Sequence, residues 1–466
     1  MGLVRRMLVW LAWCAVLTAS LNLLMVSRIT TDSFQGRHHH PNPLPTSAVP
    51  NYSRRKDKVY LQGEVYAVRE VHNPEKYELN RTGLQMLSSL YKHLPAIRVQ
   101  YSTISPQVMD IVQKLKRDIT RRGVTDDPWD LARKWAKPRS LLPESAPGLG
   151  DVLAALSTAP ITAADIGYRG TQLKVSLRLK GGQIVVFKPL RYSRDELIEG
   201  IYSGFDRHNG EIAAFHLSRL LDLRMVPLTV GRNISLKRQI LPVSTRRLSK
   251  TFFPGRAGQM CFYGVCHYCQ KNESVCENFH SLEGSVIMWL PKRLRLLEEP
   301  HPWRRTYVKN KFTKWEKNES YCERVLQSSQ APRLLHLIDA AIFDFLIQNG
   351  DRHHYARVAG SNDSPVVLID NGKSFGDADV DHMDVLAPLL QCCRLHQTTY
   401  DRLVLLSGGG MSQALKELLA LDPIAPVLVE AHFRALDRRA MHILAALNAC
   451  RERKEKPLPV TKKHIK

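Results

Sequence analysis

The apolar positions in the first globular part of the chain recur at helical spacing. Residues 84–93 and 106–121 follow this period, and so do residues 126–135, where two aspartates precede Pro128. Acidic residues before a proline are typical of a helix N-terminus, because a carboxylate can cap the first N–H groups and proline fits the first turn. The pattern therefore predicts three helices before residue 136.

The period then changes to two. Apolar and polar residues alternate over residues 171–179 and, less strictly, over 183–188, with the sequence Lys-Gly-Gly at 180–182 between them. Alternation indicates strands with one buried face, and adjacent glycines suit a tight turn, so this region predicts a β-hairpin. Residues 285–290 (SVIMWL) predict a further strand.

Helical spacing returns at residues 211–223, whose apolar residues fall near one face and predict an amphipathic helix. From residue 334 the sequence is mainly helical, with one predicted strand over 366–369. A hairpin followed by a helix, a strand and a helical half is the order of a two-lobed kinase. The predicted fold class is α+β, an atypical protein-kinase-like fold with a β-rich N-lobe and a mainly helical C-lobe.

A run of twenty residues, 7–26, contains no charged side chain. A helix of that length rises about 30 Å, enough to cross the hydrocarbon core of a bilayer. Arg5 and Arg6 precede it and indicate a cytoplasmic N-terminus, so we predict a retained transmembrane signal-anchor. The alternative is a signal peptide cleaved near residues 18–20, and either prediction makes the remaining chain lumenal or secreted.

The cysteines and the glycosylation sequons agree with an oxidising compartment. Of nine cysteines, Cys14 lies in the apolar run, and the other eight suit four disulfides. The N-x-S/T sequon occurs at six asparagines, namely Asn51, Asn80, Asn233, Asn272, Asn318 and Asn362. We therefore predict a glycosylated, disulfide-bonded domain in the secretory pathway.

The net charge is strongly positive. Lys and Arg number 67 against 44 Asp and Glu, a formal charge of +23 at pH 7. Such an excess favours anionic partners such as nucleic acid, phosphates, acidic lipid or polyanionic glycans. Because a lumenal domain does not meet DNA, we predict phosphate or acidic sugar as the partner, and no nucleic acid.

Composition divides the chain into six predicted segments. Residues 27–80 are rich in Pro, Ser, His and charge, as is typical of a flexible stem. The segments are a cytoplasmic tail (1–6), the signal-anchor (7–26), the lumenal stem (27–80), an N-terminal helical segment with the kinase N-lobe (81–290), the kinase C-lobe (291–454) and a basic tail (455–466).

Two acidic residues give the sharpest chemical signal. Asp351 lies in the run NGDRHH, and Asp370 follows it by nineteen residues, between the apolar run VVLI and the sequence NG. Phosphoryl transfer uses one carboxylate at the acceptor hydroxyl and another that holds the metal on the phosphates, at a comparable separation in protein kinases. Either acid alone would be read as a helix cap or a turn residue, but the pair predicts a kinase.

The N-terminal half supplies matching residues. Lys188 ends a predicted strand, where kinases place the lysine that contacts the nucleotide phosphates. Asp206 and Glu211 compete for pairing with Lys188 or binding metal, since little more than one helical turn separates them. Gly167 and Gly170 precede the hairpin and could let backbone N–H groups approach phosphate, although they do not form a G-x-G-x-x-G pattern.

Longer stretches indicate a family. The runs YSRDELIEGIYSGFDRHNGEIAAFHL, CFYGVCHYC, EGSVIMWLP, HPWRRTY, DFLIQNGDRHHY, LIDNGKSFG and LAPLLQCC resemble the secretory-pathway kinases that include the Golgi casein kinase and Four-jointed. The similarity extends from about residue 81 to residue 450. The YSRD, EGSV and HPW runs, and the short spacing between Cys266 and Cys269, are most similar to the glycosaminoglycan xylosylkinase branch.

The resemblance implies roles for individual residues. Asp351 would be the catalytic aspartate, and Asp370 and Asp206, preferred over Glu211, would bind manganese. The implied nucleotide-binding residues are Gln172, Lys188 and the hinge residues Ile287, Met288, Trp289 and Leu290. The implied disulfides are Cys261–Cys276, Cys266–Cys269, Cys322–Cys392 and Cys393–Cys450, whereas the spacing alone leaves the connectivity open.

Three further positions bear on the site. Where relatives commonly have a glutamate near the metal, this chain has Ala356. A methyl group cannot bind a cation, so a neighbouring residue or water would have to complete the coordination. Trp289 and Trp303 could stack on a sugar ring, but we interpret both as core residues.

The predicted function is that of a lumenal kinase that uses ATP and Mn²⁺, or alternatively Mg²⁺. As the resemblance implies, it would phosphorylate the 2-hydroxyl of xylose in the glycosaminoglycan–protein linkage region, in the Golgi membrane as a single-pass type II protein. The predicted partners are a Gal–Xyl glycan on protein, the membrane, and a related kinase as a further candidate. A secretory-pathway protein Ser/Thr kinase and a pseudokinase activator stay open as alternatives. A lipid kinase, suggested by the run GDRH, is disfavoured by the lumenal topology.

Overall fold

The computed structural model describes residues 81–123, 127–167, 170–200, 203–306, 308, 311–361, 364–454 and 460–461. Within these ranges, no helix combines the length and the apolar character needed to span a bilayer. The predicted cytoplasmic tail, signal-anchor and stem lie outside the described residues, as do the sequons Asn51, Asn80 and Asn362. These stay predictions.

The α-helices of the described residues are numbered in chain order. They are α1 (Arg81–Gln100), α2 (Gln107–Ile119), α3 (Pro128–Trp135), α4 (Leu149–Thr158), α5 (His208–Leu220), α6 (Arg246–Ser249), α7 (Tyr321–Leu326), α8 (Leu334–Ile347), α9 (Ala387–Cys392), α10 (Gln397–Leu405), α11 (Gly410–Leu419) and α12 (Glu430–Lys454). The first three cover the three helices that the apolar spacing predicted. Asp127 caps α3, because its carboxylate accepts hydrogen bonds from the N–H groups of Trp129 and Asp130.

The strands are numbered in the same way. They are β1 (Ile161–Ile166), β2 (Val175–Leu179), β3 (Ile184–Pro189), β4 (Thr229–Ile234), β5 (Phe252–Pro254), β6 (Met260–Phe262), β7 (Val275–Cys276), β8 (Leu282–Met288), β9 (Leu296–Pro300), β10 (His354–Val358), β11 (Leu395–His396) and β12 (Val460–Thr461). Strand β2 begins four residues later than the alternation suggested, at Val175 rather than residue 171.

A five-stranded antiparallel sheet forms the N-lobe, in the order β1-β2-β3-β8-β4. The predicted hairpin is β2–β3, and its turn contains Gly181 and Gly182 at φ +88° and +83°, a backbone region that favours glycine. Strand β8 enters the sheet between β3 and β4, so it places the residues that follow it beside the hairpin.

Helix α5 is buried on every side. It packs against β4 and β8 and also contacts α8 and α11, and all thirteen of its residues are buried. The prediction of an amphipathic helix with a solvent-facing side is wrong here, because the sheet covers one face and helices of the C-lobe cover others. The helix also begins three residues earlier than predicted, which places Glu211 inside its first turn.

The C-lobe is mainly helical, as predicted, but its strands differ from the prediction. Strands β9 and β10 pair antiparallel, whereas residues 366–369 form no strand and make only an isolated bridge from Val367 to Ala356. The backbone N–H groups there have unrelated acceptors. That of Val367 bonds to Ala356, that of Leu368 bonds to Met225, and so no ladder forms.

The first two helices pack against helices of the C-lobe. Helix α1 packs along α12, where Lys92 Nζ lies 2.8 Å from Glu452 Oε1. Helix α2 packs against α11. The predicted segments 81–290 and 291–454 therefore share an interface that includes more than the kinase cleft.

Within the described part of the chain, four disulfides join the pairs that the resemblance implied: Cys261–Cys276, Cys266–Cys269, Cys322–Cys392 and Cys393–Cys450. The first links β6 to β7. The last two link the end of α9 to α7 and to α12, so they fix that helix within the C-lobe.

Candidate active site

Three carboxylates from separate segments meet at one ammonium group. Lys188 Nζ lies 2.7 Å from Asp206 Oδ2, 2.7 Å from Glu211 Oε1 and 2.7 Å from Asp370 Oδ1. Side chains alternate along a strand, so Lys188 projects from the face of β3 opposite that of its neighbour Phe187, which is buried in the core. The structure thus brings together three residues that the sequence predicted, and adds Glu211.

The charges of this cluster are unbalanced. Burial alone would lower the pKa of Lys188, but attraction to Asp206, Asp370 and Glu211 raises this pKa well above its usual value. Lys188 in turn holds the pKa of Asp370 far below its usual range. The side chain of Asp370 is 74% exposed, whereas the other three are buried. Lys188 and Asp370 are therefore both ionised, and the cluster is open to solvent at Asp370.

Glu211 differs from the two aspartates in its hydrogen bonds. Its Oε1 accepts from Lys188 and from the N–H of Asn371 (3.0 Å), and its Oε2 accepts from Asn371 Nδ2 (3.2 Å). Both oxygens of Glu211 thus bond to protein groups. Asp206 and Asp370 each contact Lys188 through one oxygen. The aspartates are the better candidates for metal ligands, and Glu211 orients the lysine and the turn at Asn371.

The turn after Asp370 requires glycine where it meets α5. A Cβ added at Gly372 would lie 2.7 Å from both Cβ and Cγ of Asp206, a distance that side chains do not adopt. The Arg207 N–H donates to the Gly372 carbonyl at 2.7 Å, which holds the two segments together. Asp370 itself has φ +60°. The close approach of this turn therefore places Asp370 and Asp206 at the same ammonium group.

Arg352 connects the segment that contains Asp351 to this turn. Its guanidinium donates to both carboxylate oxygens of Asp344 in α8 (2.5 and 2.8 Å), and to Asn371 Oδ1 (2.9 Å). It also donates to the carbonyl of Ile369 at 2.7 Å. A planar, bidentate pair of this kind fixes orientation as well as distance. Arg352 therefore fixes the segment at 351 relative to Asp370.

Asp351 lies at the mouth of the site with its side chain 27% exposed. Its N–H donates to Asn349 Oδ1 at 3.2 Å, and its Oδ1 lies 3.5 Å from His353 Nδ1. The hydrogen bond to Asp351 raises the pKa of His353. Burial lowers the pKa of Lys373, while the negative charges of Asp206, Asp351 and Asp370 act to raise it. The three acids therefore lie around one region.

A basic pocket lies beside this segment. On one side it is lined by Asn349, Gly350, Arg352 and His353, and on the other by His301, Trp303, Arg304 and Arg305. Burial lowers the pKa of His301 to about 3, so the positive charge of the pocket comes from the arginines. Two of these arginines are paired with acids, Arg352 with Asp344 and Arg305 with Asp384, while Arg304 is exposed.

The predicted hinge begins in the last two residues of β8 and continues past the end of that strand. The N–H of Met288 donates to Leu228 and that of Trp289 donates to Ile184, while Gln183 Nε2 donates to the Trp289 carbonyl. The Trp289 side chain is 44% exposed, so its interpretation as a core residue is wrong. Trp289 lies beyond the end of β8, where the sheet is no longer covered. Trp303 is buried, as predicted.

The loop before β2 approaches the same charges. Gln172 Oε1 is buried and has no hydrogen-bond partner among the described residues, as expected for an atom that a ligand would satisfy. Gly167 and Gly170 lie against Lys174, since an added Cβ would lie 2.4 and 2.6 Å from atoms of that side chain. The charge of Lys174 also lowers the pKa of Asp370.

Sequence reasoning did not select Lys174, Arg352 or Asn371. Arg352 and Asn371 lie inside the two motifs that contain the predicted aspartates, and that adjacency was the available signal. Lys174 follows the two glycines that were considered for phosphate contact. Lys174 is remote from Asp370 in sequence and comes near it only in the folded chain, so no local sequence pattern indicates that Lys174 belongs to the site.

The remaining predicted positions lie outside the Lys188 cluster. Ala356 is buried in β10, and its methyl group belongs to the hydrophobic core. Of the sequons within the described residues, Asn233 and Asn272 are exposed and Asn318 is half-buried. Leu290 is also half-buried.

Comparisons with known proteins agree with this geometry. Residues 127–457 match the family described as "Golgi casein kinase, C-terminal, Fam20". The chain belongs to the Fam20 family. It is 47% identical to the human protein named glycosaminoglycan xylosylkinase, over 69% of this chain and 80% of that relative.

Solved structures of the Fam20 family share the fold. A hydra Fam20 structure described as containing sugar is 44% identical and has a TM-score of 0.71, covering 73% of this chain and 100% of that one. The Golgi casein kinase with Mn/ADP bound is 30% identical with a TM-score of 0.69, covering 84% and 95%. The kinase-like fold and the disulfides predicted from the sequence are confirmed.

The acidic cluster of this Fam20 chain fits a divalent cation. Three carboxylates around one ammonium leave a net charge of about −2, and the donor atoms are oxygens, which Mn²⁺ and Mg²⁺ prefer. Asp370 is exposed and thus accessible to an incoming ion with its phosphate ligands. Asp206 and Asp370 are the residues that would hold it.

We expect Lys188→Met to lower the free energy of unfolding by about 3–5 kcal/mol at neutral pH, because it leaves buried carboxylates without their cation. This loss should shrink as the pH falls, since uncompensated carboxylates have raised pKa values and become neutral on protonation. In the wild type, Lys188 lowers the pKa of Asp370 in the folded protein. The stabilisation from this pair is therefore fully present above the unfolded-state pKa of about 3.9 and is lost in more acidic solution, as the pH falls toward the folded-state pKa.

Urea denaturation at a series of pH values measures both trends. Lys92→Met is the matched control, because Lys92 pairs with Glu452 on the surface, where an ion pair contributes at most about 1 kcal/mol. A Lys188→Met protein that is as stable as the wild type at every pH would contradict the electrostatic account.

Proposed function

We propose that this chain is a kinase that transfers the γ-phosphate of ATP to the 2-hydroxyl of xylose in the glycosaminoglycan–protein linkage region. The observation that supports it most directly is the Lys188 cluster, in which one ammonium and three carboxylates meet beside the segment of Asp351. The identity of 47% with the human protein named glycosaminoglycan xylosylkinase supports the acceptor.

Nucleotide binding would use residues from both lobes. Lys188 would contact the phosphates, and the segment Ile287–Leu290 would face the adenine, with Gln172 nearby to satisfy its buried oxygen. Asp206 and Asp370 would hold Mn²⁺, which the Golgi casein kinase structure also contains. When bound, such a cation neutralises charge on the transferring phosphoryl group.

Asp351 would act on the acceptor. Its carboxylate would accept a hydrogen bond from the xylose hydroxyl and orient the oxygen toward the γ-phosphorus. As the new O–P bond forms, the bond to the leaving ADP oxygen breaks, and Asp351 takes up the hydroxyl proton. His353 Nδ1, 3.5 Å from Asp351 Oδ1, would help to position this carboxylate.

The basic pocket would hold the glycan. Arg304 and Arg305 face the segment of Asp351 across this pocket, and Trp303 lies in its wall. Cationic side chains attract polyanionic chains such as glycosaminoglycans. The hydra Fam20 structure described as containing sugar supports a glycan acceptor for this family.

We expect purified full-length protein with Mn²⁺ and labelled ATP to phosphorylate a Gal–Xyl glycoside far faster than an acidic Ser peptide. The 47% identity with the human protein named glycosaminoglycan xylosylkinase is the reason for this expectation. Preferential phosphorylation of the peptide would instead support the protein-kinase alternative, which the 30% identity with the Golgi casein kinase favours.

We expect Asp351→Asn to reduce turnover at least about 100-fold while nucleotide affinity stays within about twofold, because only the acceptor hydroxyl loses its partner. Asp370→Asn should also weaken Mn²⁺-dependent nucleotide binding. Isothermal titration with a non-hydrolysable ATP analogue separates the two effects. Wild-type turnover by Asp351→Asn would refute the catalytic assignment. A wild type that binds no nucleotide would support the pseudokinase alternative.

The proposed location is the Golgi membrane, with residues 7–26 as a type II signal-anchor and the catalytic domain in the lumen. The uncharged run at 7–26 and the exposed sequons Asn233 and Asn272 support it. A related kinase is a proposed further partner. We expect glycosidase treatment of protein from secretory cells to increase its gel mobility, and the Asn233→Gln/Asn272→Gln variant to show a smaller shift. Unchanged mobility in the wild type would contradict lumenal exposure.

A further inference from the structure

Two histidines and an aspartate meet in the C-lobe, away from the kinase cleft. His336 and Asp339 lie one turn apart on α8, and His396 ends β11. One potential ligand atom from each lies within 4.8 Å of the other two. The cluster shares no residue with the Lys188 site, and His336 lies about 16 Å along α8 from the end that leads to Asp351.

The contacts inside the cluster orient the carboxylate. Asp339 Oδ2 lies 2.7 Å from His396 Nδ1, and its Oδ1 accepts a hydrogen bond from Thr399 Oγ1 at 2.7 Å. The rings of His336 and His396 lie 4.8 Å apart, centroid to centroid. Asp339 and His396 are buried, at 5% and 6% exposure.

This set of side chains matches a zinc site. Zn²⁺ binds imidazole nitrogen and carboxylate oxygen at about 2.0–2.2 Å, and three protein ligands with a water in the fourth position are a common arrangement. We propose that His336, Asp339 and His396 form a zinc-binding site that joins α8 to β11 and the start of α10.

The three ligand atoms already lie close to the spacing that a zinc ion requires. Tetrahedral ligands around zinc lie about 3.3 Å apart, so the atoms now within 4.8 Å need only side-chain rotation, and His336 is half-buried with room to turn. A small cavity lined by His336 and Asp339, and otherwise by apolar residues such as Met225 and Val366, opens onto the cluster. Thr399 is placed to hold the carboxylate while its other oxygen binds metal.

Binding has a defined proton balance. Binding through His396 Nδ1 requires the neutral ring with its proton on Nε2, so the Nδ1 position that now faces Asp339 Oδ2 loses its proton by exchange with solvent while Nε2 carries the ring's one proton. No oxidation occurs. Mixed nitrogen and oxygen ligands favour zinc over Mn²⁺ and Mg²⁺, which prefer oxygen, so this site would not compete with the kinase site for its cation.

The site would stabilise the C-lobe where several elements end. His396 lies three residues after Cys393, and the adjacent Cys392 and Cys393 form separate disulfides to other helices. Strand β11 also pairs with β12 near the C-terminus. A metal between α8 and His396 would add a third link at this point. The expected consequence is greater thermal stability, independent of the proposed kinase activity.

The test uses the full-length protein stripped of metal by a chelator. We expect one zinc per chain by metal analysis and a rise in Tm on adding Zn²⁺, both lost in His336→Asn and His396→Asn. Thr399→Val should weaken zinc binding about 10-fold. His267→Asn is the matched control, because His267 is exposed in the N-lobe and should bind zinc as the wild type does.

A variant of the kinase site distinguishes metal binding at the two sites. In Asp370→Asn, Zn²⁺ should still raise Tm and Mn²⁺ should not. No zinc-dependent rise in wild-type Tm, or equal zinc affinity in His336→Asn, would overturn the proposal and leave the cluster as a hydrogen-bonded Thr–Asp–His group. Should the histidine variants fail to fold, Co²⁺ substitution in the wild type decides: a tetrahedral visible spectrum supports the site, and an octahedral one refutes it.

Discussion

The shared ammonium of Lys188 is the interaction on which the rest of the site depends. Its three carboxylate partners come from the segment before α5, from α5 itself and from the turn at Asp370 in the C-lobe. Desolvating one cation and several carboxylates is costly unless every charge is matched. Here one charge cannot match three, so the cluster is complete only with a further cation. The stability of the fold and the binding of a cation therefore depend on the same balance of charge between Lys188 and its three carboxylates.

Backbone geometry makes this convergence possible. Gly372 lets the Asp370 turn contact Asp206, and Gly210 lets α5 approach Ser374, where a Cβ would lie 2.3 Å from the hydroxyl oxygen. Arg352 then joins the turn to α8 through Asp344. Gly372 permits the contact between the two segments, and Arg352 fixes its direction. Asp351 and Asp370 therefore lie in one region although they are nineteen residues apart in sequence.

Much of this site could be predicted from the sequence because its signals are local. The pair Asp351 and Asp370 stands out by spacing, and Lys188 by its place at the end of a strand. What could not be predicted depends on tertiary packing. Full burial of α5 follows from the elements packed around it, and residues 366–369 are apolar without a strand partner. Trp289 is exposed because β8 has ended, which composition does not reveal.

Helix α8 gives the C-lobe its rigidity and connects its polar sites. Its apolar residues fill the core on all sides, so its polar residues occupy defined positions. Asp344, near its C-terminal end, holds Arg352 and thus the segment of Asp351, while Asp339 toward its N-terminal end holds His396. A buried helix cannot shift one end without moving the other, because its packing is dense. The Asp339 cluster and the segment of Asp351 are therefore attached to the same densely packed helix, although they share no side chain.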